Sequence, residues 1–156
     1  MRVHICAVGR LRGGPEQQLI DDYLTRFDRT GRALGLTLGG VQEVEDRKGG
    51  GMAAEADLLR RSLPKTGRLW VLDERGQTLT SPEFSDRLGA LRDQGTGDLA
   101  ICIGGADGLH PDLRAESDMA LSFGRMVWPH LLARVMLSEQ LYRAASILAG
   151  SPYHRA

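Results

Sequence analysis

The stretch from Leu99 to Leu109, LAICIGGADGL, is an apolar run that ends at a glycine-rich turn. The five uncharged residues before Gly104 predict a strand buried on both faces, as parallel strands are between two layers of helices. The glycines then let the backbone bend and lie close to a ligand. Because open α/β sheets bind ligands just beyond the carboxyl ends of their strands, this turn is the first candidate for a binding site. A plain strand-to-helix turn is the alternative interpretation.

On either side of this stretch, strand-like runs alternate with amphipathic helical patterns. The predicted strands cover residues 2–8, 36–44 with a bend at Gly39 and Gly40, 68–72 and 99–103, and a further extended run covers 119–127. The predicted helices begin at Pro15, Met52, Pro82 and Pro111, and a long one covers 131–148. Residues 73–76 are predicted to turn away from the third strand. This alternation predicts a single α/β domain over residues 1–156, with a mostly parallel sheet and helices on both faces.

Side-chain patterns give two of these helices more detail. In the first helix, Leu19, Tyr23 and Phe27 recur every fourth residue, with Ile20 and Leu24 beside them, which predicts one apolar stripe on the core. Before the third helix, the sequence T-S-P-E at 80–83 predicts a hydroxyl that caps the helix and a proline that opens it.

The chain of 156 residues, 42% hydrophobic and 26% charged, has the composition of a soluble globular protein. Its formal net charge is zero, so it lacks the overall positive field of many nucleic-acid binders, although several arginines gather near the C-terminus. No run resembles a signal peptide or could span a bilayer, which predicts a cytosolic protein with no membrane partner. Cys6 and Cys102 lie inside apolar runs and are expected to be free thiols in the core.

Several familiar motifs are missing. The turn at 104–108 lacks the G-x-G-x-x-G spacing of dinucleotide sites, and no Gly-Lys-Ser/Thr follows it as in a P-loop. No serine stands in the G-x-S-x-G setting of a hydrolase nucleophile. The four histidines match no standard zinc spacing, so no metal is expected.

The chain ends in G-S-P-Y-H-R-A at 150–156, where a glycine and a proline stop the last helix. Such tails are usually frayed and inert. Tyrosine and histidine can nevertheless stack on a nucleobase, and arginine can bind a phosphate, which is a useful set for holding unpaired RNA. Glu139 and Arg143, four residues apart on the long helix, predict an ion pair next to this tail.

Four separated motifs occur in order along the chain. They are I-G-G-A-D-G-L at 103–109, W-P-H at 128–130, R-V at 134–135 with E-Q-L-Y-R-A at 139–144, and P-Y-H-R at 152–155. Together they resemble the bacterial RlmH family, the pseudouridine N3-methyltransferases of 23S ribosomal RNA in the SPOUT superfamily. The resemblance covers the whole chain in length and order and is strongest in the last third.

The resemblance implies a SPOUT-type α/β knot, in which the C-terminal segment threads through an earlier loop. It also implies a homodimer that acts on 23S rRNA in the assembled ribosome and not on DNA. It also implies S-adenosylmethionine as cofactor, held by three loops. The corresponding residues are Leu72, Asp73, Gly104, Gly105, Gly124, Arg125, Met126, Val127, Trp128 and Pro129. The residues implied to act on the RNA are His130, Glu139, Arg143, Tyr153, His154 and Arg155, and the last three are expected to come from the partner subunit.

Some alternatives stay open at this point. His154 or a water molecule could accept the proton that leaves the methylated nitrogen. A non-catalytic ribosome-binding factor of the same fold is a second hypothesis, favoured by the neutral charge and by Arg125 and Val127, which stand where relatives often have small polar residues. A nucleotide-dependent enzyme that uses the glycine turn is a third, weakened by the absence of both phosphate-binding signatures.

Overall fold

The computed structural model describes residues 1–155, so the end of the predicted domain at Ala156 lies outside the described residues. The strands are β1 (Arg2–Val8), β2 (Thr37–Val44), β3 (Arg68–Thr78), β4 (Asp98–Ile103) and β5 (Met119–Ser122). The helices are α1 (Pro15–Gly31), α2 (Gly51–Ser62), α3 (Ser81–Asp93), α4 (Pro111–Glu116) and α5 (His130–Leu148), with a short 3₁₀ turn at Arg32–Leu34. The predicted alternation of strands and helices is confirmed.

The five strands form one sheet in the order β2-β1-β4-β3-β5, and every ladder is parallel. All six residues of β4 are buried, because this strand lies between β1 and β3 and is covered by helices on both faces. The burial on both faces predicted for this apolar run is therefore confirmed. The bend predicted at Gly39 and Gly40 is also present, as a register shift between β1 and β2 that passes over Gly39.

Each face of the sheet has its own core. On one face, side chains of β1 and β4 pack with α1, α3 and α5 through residues such as Phe27, Leu88 and Leu141. On the other face, Cys6 and Cys102 pack with α2 and α4 through Leu59 and Leu113. The two cysteines are free, fully buried and opposite each other on β1 and β4.

The apolar stripe of α1 differs in part from the prediction. Ile20, Leu24 and Phe27 are buried, whereas Leu19 is 44% exposed. Helical geometry explains the difference. The face of α1 that meets the sheet is defined by spacings of four and three residues, through Ile20, Leu24, Phe27 and Gly31. Leu19 lies to one side of this face.

The start of α3 agrees with the prediction. The Thr80 hydroxyl accepts a hydrogen bond from the Glu83 amide at 3.3 Å, and the Glu83 carboxylate accepts one from the Thr80 amide at 2.7 Å. This reciprocal capping box, with Pro82 in the first turn, satisfies amides that the helix itself cannot bond.

Two predicted boundaries at the carboxyl edge of the sheet were wrong. Residues 73–76 do not turn away from β3, because the strand bulges there and pairs with β5 again at Gln77 and Thr78. A side chain at Gly76 would lie only 2.5 Å from the Ala120 carbonyl oxygen, which shows how closely the two strands approach. The extended run at 119–127 ends at Ser122, and residues 123–129 form a loop that leads into α5.

Two further properties of residues 1–155 bear on function. None of the helices in this range is long and apolar enough to cross a membrane. The same residues contain no group of three or more His, Cys, Asp or Glu side chains arranged to hold a metal ion.

Candidate active site

A cavity of about 340 Å³ opens at the carboxyl edge of the sheet. Its walls are the ends of β3, β4 and β5, the loops that follow them, and the first turn of α5. Eight of the ten residues predicted to hold the cofactor line it. They are Leu72, Asp73, Gly104, Gly105, Gly124, Met126, Val127 and Trp128. The three predicted loops, distant in the sequence, therefore meet around one cavity, as expected for the carboxyl edge of a parallel sheet.

The glycine turn after β4 folds tightly on itself. The Gly108 amide donates a hydrogen bond to the Gly105 carbonyl at 3.0 Å. A side chain at Gly104 would place its Cβ 2.6 Å from the Gly108 carbonyl carbon and 2.9 Å from the Leu109 nitrogen. Glycine is therefore required at position 104, because any side chain there would force the turn open.

Acidic groups lie in and beside this turn. Asp107 and Glu74 both line the cavity, and neither forms an ion pair in the described part of the chain. Glu55 lies behind the turn, where a Cβ on Gly105 would meet its carboxylate at 3.4 Å. Burial raises the pKa of Glu55, and the nearby charges of Asp107 and Asp46 raise this pKa further. The cavity wall therefore carries the carboxylates of Asp107 and Glu74 together with one cation, Arg75.

The Asp73 carboxylate is occupied by the protein itself. Arg114 donates to its Oδ2 at 2.8 Å, and the Arg75 amide donates to its Oδ1 at 2.9 Å. The side chain is only 8% exposed. Asp73 thus shapes the cavity wall by holding α4 and the β3 bulge together.

The loop at 123–129 forms the third wall. The Ser122 hydroxyl accepts a hydrogen bond from the Gly124 amide at 3.1 Å and lies 3.1 Å from the Glu74 carbonyl, so it ties the loop to β3. Met126 and Val127 are 75% and 81% exposed, although both line the cavity. Arg125 and Pro129 belong to the same loop but lie outside the cavity wall: Arg125 is exposed, and Pro129 caps α5.

The residues predicted to act on RNA fall into two groups. His130, the first residue of α5, lines the cavity, and its Nε2 would lie 3.5 Å from a Cβ on Gly9. Glu139 and Arg143, further along α5, form a second cluster with Tyr153 and His154 of the C-terminal tail. Glu139 lies nine positions after His130, a distance of roughly 13 Å along the helix axis.

Glu139 is the centre of the second cluster. Its Oε1 accepts hydrogen bonds from Arg143 Nη2 at 2.6 Å and from the Tyr153 hydroxyl at 2.8 Å, and its Oε2 accepts one from Gln140 Nε2 at 3.0 Å. Both oxygens are therefore engaged. The predicted ion pair between Glu139 and Arg143 is confirmed.

The C-terminal tail packs on α5 through this cluster. The Tyr153 ring lies 4.5 Å from the Tyr142 ring, and the Arg143 guanidinium lies 4.7 Å from the Tyr153 ring. Arg143 Nη1 is 3.3 Å from His154 Nδ1. Burial and the hydrogen bond to Glu139 raise the pKa of Tyr153, so its hydroxyl stays a donor. Arg155 is exposed at the end of this ordered tail.

Sequence reasoning missed other parts of the cavity. Met52 at the start of α2, and Leu121, Phe123 and Pro111, complete its apolar walls. Met52 carries no local signal, because only the packing of α2 brings it to this edge. Residues at the ends of β4 and β5 do carry a sequence signal. Any residue that follows a predicted parallel strand is a candidate for the carboxyl edge of the sheet.

Many classes of enzyme share a parallel α/β sheet with a cavity at its carboxyl edge, so comparison with known sequences identifies the class of this protein. The chain belongs to the SPOUT methyltransferase family, because residues 1–154 match the sequence profile described as "Predicted SPOUT methyltransferase". Membership carries with it the knotted α/β fold and S-adenosylmethionine as cofactor, as the sequence resemblance implied.

Two bacterial relatives place the chain more narrowly within that family. It is 68% identical over 155 residues to the ribosomal RNA large subunit methyltransferase H of Roseobacter denitrificans. It is 64% identical over 155 residues to the protein of the same name from a Ruegeria species. In both comparisons, 99% of this chain and 99% of the relative are covered.

Proposed function

We propose that the protein transfers a methyl group from S-adenosylmethionine to N3 of a pseudouridine in 23S rRNA, on the assembled ribosome in the cytoplasm. The observation that carries this proposal is the cavity at the glycine turn in a chain whose full-length relatives are named ribosomal RNA large subunit methyltransferase H. The two groups of polar residues on α5 supply the side chains that an RNA substrate requires.

The cavity fits the cofactor in size and chemistry. Its volume is within the range of small-molecule sites. The closed turn at Gly104 brings backbone amides and carbonyls to the cavity wall, where they can bind an adenosine, and Leu72 and Met126 offer apolar walls. Asp107 and Glu74 offer carboxylates to a ligand whose sulfonium and ammonium groups are both positive. When bound there, S-adenosylmethionine supplies an electrophilic methyl group.

The contribution of the protein is mainly alignment. Methyl transfer requires the acceptor nitrogen to lie in line behind the methyl group, and holding that geometry contributes several kcal/mol, roughly 7 at the lower end for well-oriented reactants. Trp128 and Val127 line the cavity and are 43% and 81% exposed, so they offer apolar surface to an entering base. His130 lies where it can contact a base that enters the cavity.

The proton on N3 leaves during the reaction. Glu139 is a poor acceptor, because both of its oxygens already accept hydrogen bonds. Tyr153 is a donor with a raised pKa. His154 and a water molecule remain as acceptors, and Glu139 acts as a positioning residue that holds Arg143 and Tyr153 in the tail.

We further infer that the active form is a homodimer in which Tyr153, His154 and Arg155 of one subunit serve the cavity of the other. None of these three residues lines the cavity of its own chain. Apolar side chains suited to an interface are exposed near the cavity and on α1 and α5: Leu19 at 44%, Val127 at 81% and Leu132 at 41%. Exposed apolar surface of this kind is typical of a contact between subunits.

Methyl transfer from labelled S-adenosylmethionine tests the proposal directly. Ribosomes that lack the modification, free large subunits and naked rRNA would be assayed in parallel, followed by nucleoside analysis of the product. We expect label in N3-methylpseudouridine, with whole ribosomes as the best substrate. Cofactor binding with no label in any RNA would overturn the substrate and would favour the non-catalytic ribosome-binding factor.

A further inference from the structure

We propose that the loop at residues 9–14, here called the arginine loop, is an RNA-binding arm that contacts the phosphate backbone next to the target nucleotide. The inference rests on the proposed function, since it assumes that the target lies in RNA. The loop has the sequence G-R-L-R-G-G and joins β1 to α1. Neither the cavity nor the tail cluster includes its two arginines.

An ion pair between the buried Arg134 and the partly exposed Glu43 holds the arginine loop in place. Arg134 on α5 is only 1% exposed, and its Nη1 donates to Glu43 Oε2 at 2.7 Å. The same Glu43 oxygen accepts the Leu11 amide at 2.8 Å, and Arg134 Nη2 donates to the Gly9 carbonyl at 3.0 Å. The pair therefore binds the loop backbone at two points and joins it to β2 and α5.

The same contacts orient the side chains of the loop. Leu11 is partly buried and packs against the core, whereas Arg10 and Arg12 on either side of it are exposed. The Gly13 amide is bound by Gln17 Oε1 at 2.7 Å, which secures the far end of the loop. Both arginine side chains are thus exposed on a loop whose backbone is already held in place. The loop therefore loses little backbone entropy when it binds.

The arginine loop starts beside the cavity. A Cβ on Gly9 would meet His130 Nε2 at 3.5 Å, and a Cβ on Gly105 would meet Val8 Cγ1 at 3.0 Å. His130 and Gly105 are both cavity residues. A nucleotide in the cavity would therefore place the adjoining strand of RNA over the loop.

Carboxylates do not neutralise this surface. Arg10 and Arg47 share a single partner, Glu45, at 3.5 Å and 3.7 Å. Within residues 1–155, Arg12 forms no ion pair. Glu43 is already paired with Arg134, and the Asp46 carboxylate accepts the amides of Lys48 and Gly50. The Glu16 carboxylate also lies close to the loop, 3.7 Å from a Cβ placed on Gly14. The surface keeps an excess of one positive charge, because the cations Arg10, Arg12, Arg47, Lys48 and Arg134 face the four carboxylates of Glu16, Glu43, Glu45 and Asp46.

Among the chemical groups that an rRNA substrate presents, the phosphates suit this surface best. Arginine binds phosphate through two parallel hydrogen bonds, and such contacts add affinity without reading the base sequence. Because the substrate nucleotide is presented by folded RNA, a backbone contact beside it also sets the register of the substrate in the cavity.

The test compares R10A, R12A and the double variant R10A/R12A with the wild-type protein. R29A is the matched control, because Arg29 is also exposed on α1 but lies in its last turn, at the opposite edge of the sheet. Binding to unmodified ribosomes would be measured between 50 and 200 mM salt, about the range over which phosphate contacts weaken strongly. The affinity for S-adenosylmethionine and the melting temperature would be measured for each variant.

For the double variant we expect ribosome affinity to fall about tenfold and the slope of log affinity against log salt to flatten by about 1.5, as for the loss of two phosphate contacts. R29A should match the wild type, and cofactor affinity should be unchanged in all variants. A double variant that binds ribosomes like R29A overturns the inference. Failure of the wild-type protein to bind or methylate ribosomes would instead overturn the proposed function.

Discussion

At Gly104, one added methyl group decides whether the glycine turn after β4 can form. A Cβ there lies 2.6 Å from the Gly108 carbonyl carbon, so Gly104→Ala must open the turn. We expect the affinity for S-adenosylmethionine, measured by calorimetry, to fall at least about tenfold, with a loss of about 1–3 kcal/mol in the free energy of unfolding.

A second glycine separates these two effects. Gly95 has φ +82°, a Cβ placed on it would meet nothing within 4 Å, and it lies between α3 and β4, away from the cavity. Gly95→Ala should cost about 1–2 kcal/mol through backbone strain while leaving cofactor affinity unchanged. If both variants lost cofactor affinity equally, general destabilisation and not the shape of the turn would explain the result.

Asp98 should make the stability of the protein depend on pH. Its carboxylate lies 2.7 Å from His4 Nε2 and also bonds Arg2, and the His4 hydrogen bond, followed by that of Arg2, lowers the pKa of Asp98 in the folded protein. The unfolded chain then binds more protons, so the stabilisation is complete above the unfolded pKa of about 3.9. It is lost as the pH falls through the lower folded pKa.

Urea unfolding of Asp98→Asn measures this contribution. At pH 7 the variant should be less stable than the wild type by about 1–2 kcal/mol, as for loss of hydrogen bonds to a charged group. The difference should shrink as the pH falls below about 4. Asp93→Asn serves as control, because Asp93 is 69% exposed and pairs only with its neighbour Arg92. A difference that persists at low pH would show that Asp98 does not act through its charge.

At the scale of elements, α5 is joined to β1 and β2 by the pair of the buried Arg134 and the partly exposed Glu43. Arg134→Met leaves the Glu43 carboxylate without its cation and the Gly9 carbonyl without a donor, so we expect a loss of about 1.5–3 kcal/mol in the free energy of unfolding. The double variant Arg134→Met/Glu43→Met should recover part of this loss. A double-mutant cycle by urea unfolding measures the coupling. The exposed pair of Arg60 and Glu116 is the comparison, and its coupling should be close to zero. A coupling equally small for Arg134 and Glu43 would contradict the proposed clamp on the arginine loop.

The elements also show what the sequence can and cannot predict. β4 and its turn were predicted correctly, because burial on both faces and glycine chemistry leave a local pattern. The bulge of β3 was missed, because it depends on pairing with β5 more than forty residues later in the chain. The Arg134 and Glu43 pair joins residues 91 positions apart, and no local pattern indicates it. The three cofactor loops came from family resemblance, and their convergence on one cavity is a property of the folded sheet.

At the scale of the whole molecule, the proposed homodimer accounts for the distance between the cavity and the tail cluster. His130 lines the cavity, whereas Glu139 and its partners Arg143 and Tyr153 lie roughly 13 Å further along α5. We propose that the tail, which packs on its own α5, serves the cavity of a neighbouring subunit. In a symmetric dimer, each of two composite sites would combine the cavity of one chain with the tail of the other.

Mixed dimers test this arrangement. Gly104→Ala has a defective cavity and an intact tail, and His154→Ala has the reverse. Each variant alone should be nearly inactive on ribosomes, whereas doubly tagged, purified mixed dimers should regain about half of the wild-type activity, because one of their two composite sites is intact. Mixed dimers formed between wild type and the double variant Gly104→Ala/His154→Ala are the control. In them each composite site has one defect, so they should be nearly inactive. The opposite pattern, with an active control and inactive complementing dimers, would show that each tail serves its own cavity. Failure of the two tagged chains to purify together would overturn the dimer itself.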